Sequence, residues 1–140
     1  MTNDELRIQA YYALKQIDFP VLHSLDIRQV RTPGSPVEVS LRILLGRVED
    51  PGGMYLTLSF SGVRDARIKQ PEIGLFELPV IEISSIRERQ WEGLNYCVRE
   101  SEDDTLSFLC GSFEAFLTPG SYPSEVKAGG GESDEIGDPR

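Results

Sequence analysis

The sequence predicts an α+β fold: an N-terminal helix packed on one curved, mainly antiparallel sheet of about six strands. Three observations carry this expectation. Leu6, Ala10, Ala13, Leu14 and Ile17 recur at helical spacing. Beyond Pro20 the period changes to two, most clearly in Val37, Val39, Leu41, Ile43 and Leu45. No second alternation of helix and strand follows, which argues against a doubly wound sheet or a barrel of parallel strands.

The helix opens on Thr2-x-x-Glu5, a capping-box pattern in which hydroxyl and carboxylate each satisfy a free backbone amide. Asp4 and Glu5 suit the positive end of its dipole, and Pro20 stops it. In the first strand Leu25, Ile27 and Gln29 share a side. Thr32-Pro33-Gly34-Ser35-Pro36 reads as a turn into the strand of Val37–Leu45, where Glu38, Ser40 and Arg42 take the wet face. A loop from Gly46 to Gly53 leads to Met54, Leu56, Leu58 and Phe60, which alternate with Tyr55, Thr57, Ser59 and Ser61. Gly62 marks a bulge or a close backbone approach. With the phase kept, Arg64, Ala66 and Ile68 point inward; with a bulge, Val63 does.

Residues Gln70 to Pro79 read as a loop, and Val80, Ile81 and Ile83 as a short strand. Ser85-x-x-Glu88 repeats the capping pattern, so one or two helical turns are expected over Ile86–Glu92, with Gly93 as a left-handed stop. Leu94, Tyr96 and Val98 then pair in a hairpin with Leu106, Phe108 and Cys110. The tip between them, Glu100 to Thr105, reads as solvated and acidic. Phe113, Phe116 and Leu117 end the body.

One domain over residues 1–117 and an acidic Gly/Pro-rich tail over 118–140 account for the 140 residues. The tail offers almost nothing apolar to offset an ordering entropy of roughly 1–2 kcal/mol per residue, so it is expected to be disordered. It carries five acids and two bases, and the body 18 acids and 12 bases, so the acidity behind the net charge of −9 lies in both parts. That charge argues against a general nucleic-acid binder. No apolar run is long enough for a membrane span. The polar, acidic opening is unlike a secretory signal, which points to a cytoplasmic protein.

The two cysteines, Cys97 and Cys110, lie on the two arms of the last hairpin. A register that gathers Tyr96, Val98, Leu106, Phe108 and Cys110 on one face pairs Tyr96 with Cys110 and Val98 with Phe108. The cysteines then point to opposite faces and stay free thiols. With His23 the only histidine, no zinc-ligand spacing exists, and neither a P-loop nor an EF-hand order is present. No cofactor or metal is expected, and no catalytic residue can be assigned.

The remaining candidates are interaction residues. The chain holds 11 arginines and three lysines, with Arg64 and Arg67 close together on a strand. These can form bidentate pairs with foreign carboxylates, or internally with Asp65, Glu82 or Glu88. Trp91, the only tryptophan, reads as a core plug or an interface anchor. Glu100, Glu102, Asp103 and Asp104 concentrate negative charge at the hairpin tip.

The runs Gly62–Ile68, Ile81–Ile86, Gln90–Tyr96 and Leu106–Cys110 resemble small bacterial β-rich proteins, some of them similar to immunity proteins of polymorphic toxin systems. A hairpin with an acidic tip and the Ser107-Phe108-Leu109-Cys110 arm carries the resemblance, over roughly residues 54 to 116. It implies a protein-interaction module without catalysis, an immunity-type inhibitor whose partner is a toxin, and the acidic body suits a toxin of basic charge. The alternatives are a small-ligand binder lined by Tyr11, Tyr12, Tyr55 and Arg64, and an enzyme working through Cys97, Cys110 or paired carboxylates.

Overall fold

The structure, a computed structural model, describes residues 2–48, 53–69, 77–89 and 92–119. Helix α1 (Asn3–Ala13) begins with the expected box. The Thr2 hydroxyl accepts the Glu5 amide at 3.1 Å, and the Glu5 carboxylate accepts the Thr2 amide at 2.8 Å. Its inward face is Tyr11 with Ile8 and Leu14, and Asp4 is buried at its start. Of the aliphatic stripe expected to pack, Leu14 alone is partly buried, while Leu6 and Ile17 turn outward, 52% and 65% exposed. The reason is polar. The helix is held by hydroxyl and amide tips that a hydrophobic pattern does not register as inward.

Eight strands follow: β1 (Val21–Val30), β2 (Glu38–Gly46), β3 (Met54–Ser61), β4 (Arg64–Ile68), β5 (Ile81–Ser85), β6 (Tyr96–Glu100), β7 (Leu106–Cys110) and β8 (Ser112–Pro119). They form two four-stranded sheets, in the orders β1-β2-β3-β8 and β4-β7-β6-β5, and every pairing is antiparallel. The fold is therefore α+β as expected, but with two sheets in place of one sheet of about six strands.

The difference has a local cause. β3 passes into β4 through Gly62 and Val63, and β7 into β8 through Gly111, so two long runs of chain each leave one sheet and enter the other. Bent strands of this kind make the corners between crossed sheets. Gly62 holds φ at +66°, where a side chain would be strained. A Cβ on Gly111 would lie 2.7 Å from the Gly93 carbonyl oxygen. The two corners touch, the Gly111 amide donating to the Ser61 carbonyl at 2.9 Å. Val63, freed from the strand phase, turns inward and is buried.

β8 turns a segment expected only to end the body into a full strand. It pairs with β3 from Ser61↔Ser112 to Met54↔Pro119, so Thr118 and Pro119 extend a strand beyond the expected boundary at 117. The rest of the tail lies outside the described residues. In β1, Leu25 is half-buried while Ile27 and Gln29 are exposed, because this strand is an edge and its far end extends past the core. Of the helical turns expected over 86–92, the described residues hold one 3-10 turn, Arg87–Arg89, and Gly93 stands at φ +76°; residues 90 and 91 lie outside the described residues.

The core lies between the sheets. Leu41, Ile43 and Leu45 of β2 and Leu56, Leu58 and Phe60 of β3 meet Ile81, Ile83, Val98, Leu106 and Phe108 from the other sheet. Two edge-to-face ring pairs cross the interface: Phe60 on Phe108 at 4.7 Å and Phe113 on Tyr96 at 4.8 Å. The β6–β7 register is the expected one, with Tyr96↔Cys110 and Val98↔Phe108, and both cysteines are free.

Candidate protein-interaction surface

The β6–β7 hairpin carries the acidic tip, and its four acids divide into two kinds. Glu100 is fully buried, contrary to its expected place on a solvated surface. Its carboxylate accepts the backbone amides of Glu102 and Asp103, each at 2.9 Å, and the Thr105 hydroxyl at 3.0 Å. Longer contacts reach the amides of Thr105 and Val80 at 3.4 Å. A charged acceptor here satisfies donors that a tight turn otherwise leaves bare. Burial alone would raise the Glu100 carboxyl, but the amides of Asp103, Glu102 and Thr105 more than reverse this and hold it below the usual carboxylate range. Glu102, Asp103 and Asp104 remain exposed. Asp104 sits in the left-handed region at φ +56°, and its carboxylate approaches Lys69 of the neighbouring chain segment at 4.0 Å.

Arg64 and Arg67 lie on β4, at the other edge of the same sheet. Three residues apart, they would face opposite sides of a regular strand. They do not, because β4 shifts register between them. Arg64 pairs with Leu109 and Arg67 with Ser107, two positions that share one face of β7. The extra residue is taken up around Asp65, which has φ +57°. Ser107 and Leu109 in turn pair with Arg99 and Cys97 of β6, and these with Glu82 and Ser84 of β5. The outer face of this sheet thus reads Arg67-Ser107-Arg99-Glu82 in one row and Arg64-Leu109-Cys97-Ser84 in the next. Arg64, Arg67 and Arg99 are exposed, and among the described residues none forms an ion pair with Asp65, Glu82 or Glu88.

Arg99 was not singled out from the sequence, although the hairpin register alone places it opposite Ser107. Trp91 lies outside the described residues.

A second polar cluster is structural. Asp4 accepts from the Nε and Nη2 of Arg87 and from the Tyr96 hydroxyl at 2.8 Å. The Arg87 hydrogen bond is the main reason the Asp4 carboxyl lies below its usual range, and burial with Asp4 as neighbour pushes Tyr96 up to about 12. This cluster ties the start of α1 to the second sheet.

Of the four residues that would line a ligand pocket, Tyr11 and Tyr12 come together, their rings 5.0 Å apart beside a cleft of about 190 Å³, while Tyr55 and Arg64 lie elsewhere. Tyr11 donates to the Ile81 carbonyl, Tyr12 meets the Ile83 amide and carbonyl, and Tyr55 meets His23 edge-to-face at 4.9 Å. Arg64 instead borders a cleft of about 530 Å³ at the Gly62 corner, with Glu38 and Val39. His23 and the two cysteines lie on different sheets. Among the described residues no group of three or more His, Cys, Asp or Glu side chains is placed to hold a metal ion.

Residues 1–116 match the model of a protein family described as Immunity protein PIM8. The match takes in α1 and the first strands as well as the segment whose motifs carry the resemblance. No curated protein matches the chain, and no solved structure does. The chain belongs to the PIM8 family of immunity proteins, and its role is that of a toxin-immunity protein that acts by binding a partner protein.

Proposed function

We propose that this protein is a non-enzymatic, cytoplasmic inhibitor that neutralises a basic toxin by binding it. The observation that carries the reading is the hairpin tip. Glu102, Asp103 and Asp104 are presented to solvent on a turn that the buried Glu100 carboxylate fixes from within. Pre-ordering removes part of the conformational entropy that binding would otherwise cost. A net charge of −9 adds a long-range attraction for a cationic surface. The separation of Cys97, Cys110 and His23 supports binding over chemistry.

The test is stopped-flow association with the cognate toxin in an inactivated form. Exposed charges act together on the encounter rate more than on affinity. The wild-type rate should fall steeply as ionic strength rises and the Debye length contracts to ~8 Å. A Glu102→Gln, Asp103→Asn, Asp104→Asn variant should associate more slowly at low salt and show a much flatter salt dependence. Glu100 is left intact, because changing it would disturb the turn itself. An on-rate indifferent to both salt and the triple change would show that the tip is only a solvated turn.

A further inference from the structure

We infer that the outer face of the β4-β7-β6-β5 sheet is a docking surface for a carboxylate-bearing patch on the partner toxin, with Arg64, Arg67 and Arg99 as its anchors. This rests on the toxin-binding reading above and adds a second surface of opposite sign to the acidic tip.

Three observations support it. The first is the backbone of β4. A non-glycine residue, Asp65, occupies the left-handed region so that the register shifts by one between Arg64 and Arg67. Few side chains adopt this conformation, and Asp is among those that do, typically as single residues. Its consequence is that both guanidiniums share the face of Arg99. Bulges of this kind re-aim side chains beside functional sites.

The second is charge. In a chain of net charge −9 these two rows hold three arginines and one carboxylate, Glu82, with Asp65 in the bulge between Arg64 and Arg67 and Glu38 across the cleft beside Arg64. Among the described residues, all three are without an ion-pair partner. Guanidinium groups present a rigid fork that fits a carboxylate bidentately.

The third is the character of the surface between them. Leu109, Cys97 and Ser107 are half-buried and small or apolar, which gives a shallow floor flanked by guanidiniums. Aromatic, apolar and arginine groups concentrate in the centres of protein interfaces, where surrounding contacts exclude water. A folded partner with carboxylates fits such a floor. The acidic tip borders the same sheet, since β6 and β7 both end in it. The matching toxin surface therefore carries cationic groups opposite the tip and carboxylates opposite the arginine row, and a toxin basic overall can do both.

The experiment measures the equilibrium binding and dissociation rate of the inactivated cognate toxin. The proteins compared are the wild type, an Arg64→Gln, Arg67→Gln, Arg99→Gln variant, and Glu82→Gln. Thermal melts establish that each variant is folded. The triple variant should bind at least about tenfold more weakly, mostly through faster dissociation. Glu82→Gln, which removes the one carboxylate of the row, should bind more tightly. Replacing the same three arginines with lysine should keep the association rate but not the slow dissociation. Toxin binding within twofold of wild type in the folded triple variant would overturn the docking surface and leave the toxin-binding reading intact. No binding of wild-type protein to the toxin at micromolar concentration would overturn both. Arginine-dependent binding of a 20-nucleotide single-stranded RNA, with toxin binding unaffected, would assign the face to a polyanion instead and overturn the proposal.

Discussion

At Glu100 a single buried carboxylate organises a whole turn. Glu100→Gln keeps the shape but replaces a charged acceptor by a neutral amide, one end of which donates where donors already converge. It should destabilise the protein by about 1–3 kcal/mol in denaturant unfolding. Its pH dependence has a definite sign. Glu100 and Asp4 both titrate in the folded state below their ordinary values of 4.5 and 3.8. The stability they contribute is therefore fully present above those values. It is lost as pH falls through the lower folded values. Acid unfolding of the wild type should begin below about pH 4.5, and Glu100→Gln should remove the part that belongs to Glu100. A stability profile of the variant parallel to wild type between pH 6 and 3 would contradict that assignment. The cysteines make a second test at this scale. Cys110 is buried, and burial pushes its thiol up to about 12, while Cys97 is half-buried on the outer face. In the folded protein a thiol reagent should modify Cys97 well before Cys110, and after unfolding without reductant both should react.

Among the elements, α1 behaves as a cap on an open sheet edge. β5 is the last strand of its sheet, and an unpaired edge invites association with other chains. The Gln16 amide closes it like a short strand, donating to the Leu78 carbonyl and accepting the Ile81 amide, both at 2.8 Å. Tyr11 and Tyr12 continue the series along Ile81 and Ile83. Gln16→Ala would leave two buried backbone groups bare, at a cost of about 1–3 kcal/mol each, and should show as a lower denaturant midpoint and faster amide exchange at Ile81. A midpoint equal to wild type would mean that water replaces the amide. This is also where sequence reading reached its limit. Strict alternation made the buried faces of β2 and β3 legible, and in the β6–β7 hairpin the register as well, because one face of each is buried and a slip of one residue would expose it. The inward face of α1 and of the 3-10 turn after it (Gln16–Asp18) was not legible, since Asp4, Tyr11 and Gln16 are buried for their hydrogen bonds and not for their hydrophobicity. Nor were the two sheet-switching corners. A glycine in a strand pattern signals a bulge as readily as a corner, and only contact between Gly62 and Gly111 distinguishes them. Of the interaction residues, Arg64 and Arg67 were visible as a pair. That they share a face with Arg99 depends on the left-handed Asp65, which no composition or period reveals.

For the whole molecule, two sheets clamp one apolar core, and stability rests on residues such as Leu41 and Phe108, which are almost fully buried on central strands. Leu41→Ala or Phe108→Ala should cost roughly 2–5 kcal/mol, a large part of the 5–15 kcal/mol typical of a domain. A loss below about 1 kcal/mol at both positions would contradict the placement of the core. The acidic tip and the arginine row on this body support the proposal that it holds another protein without altering it. That is the central claim, and a stoichiometric titration tests it most directly. A fixed amount of active cognate toxin is incubated with increasing amounts of this protein, and residual toxin activity is read after short and long incubation. Inhibition by binding gives a straight decline to zero at a fixed molar ratio that does not move with time. Complete loss of toxin activity at a small fraction of that ratio, deepening with incubation, would mean that the protein destroys or modifies the toxin catalytically, and would contradict the claim.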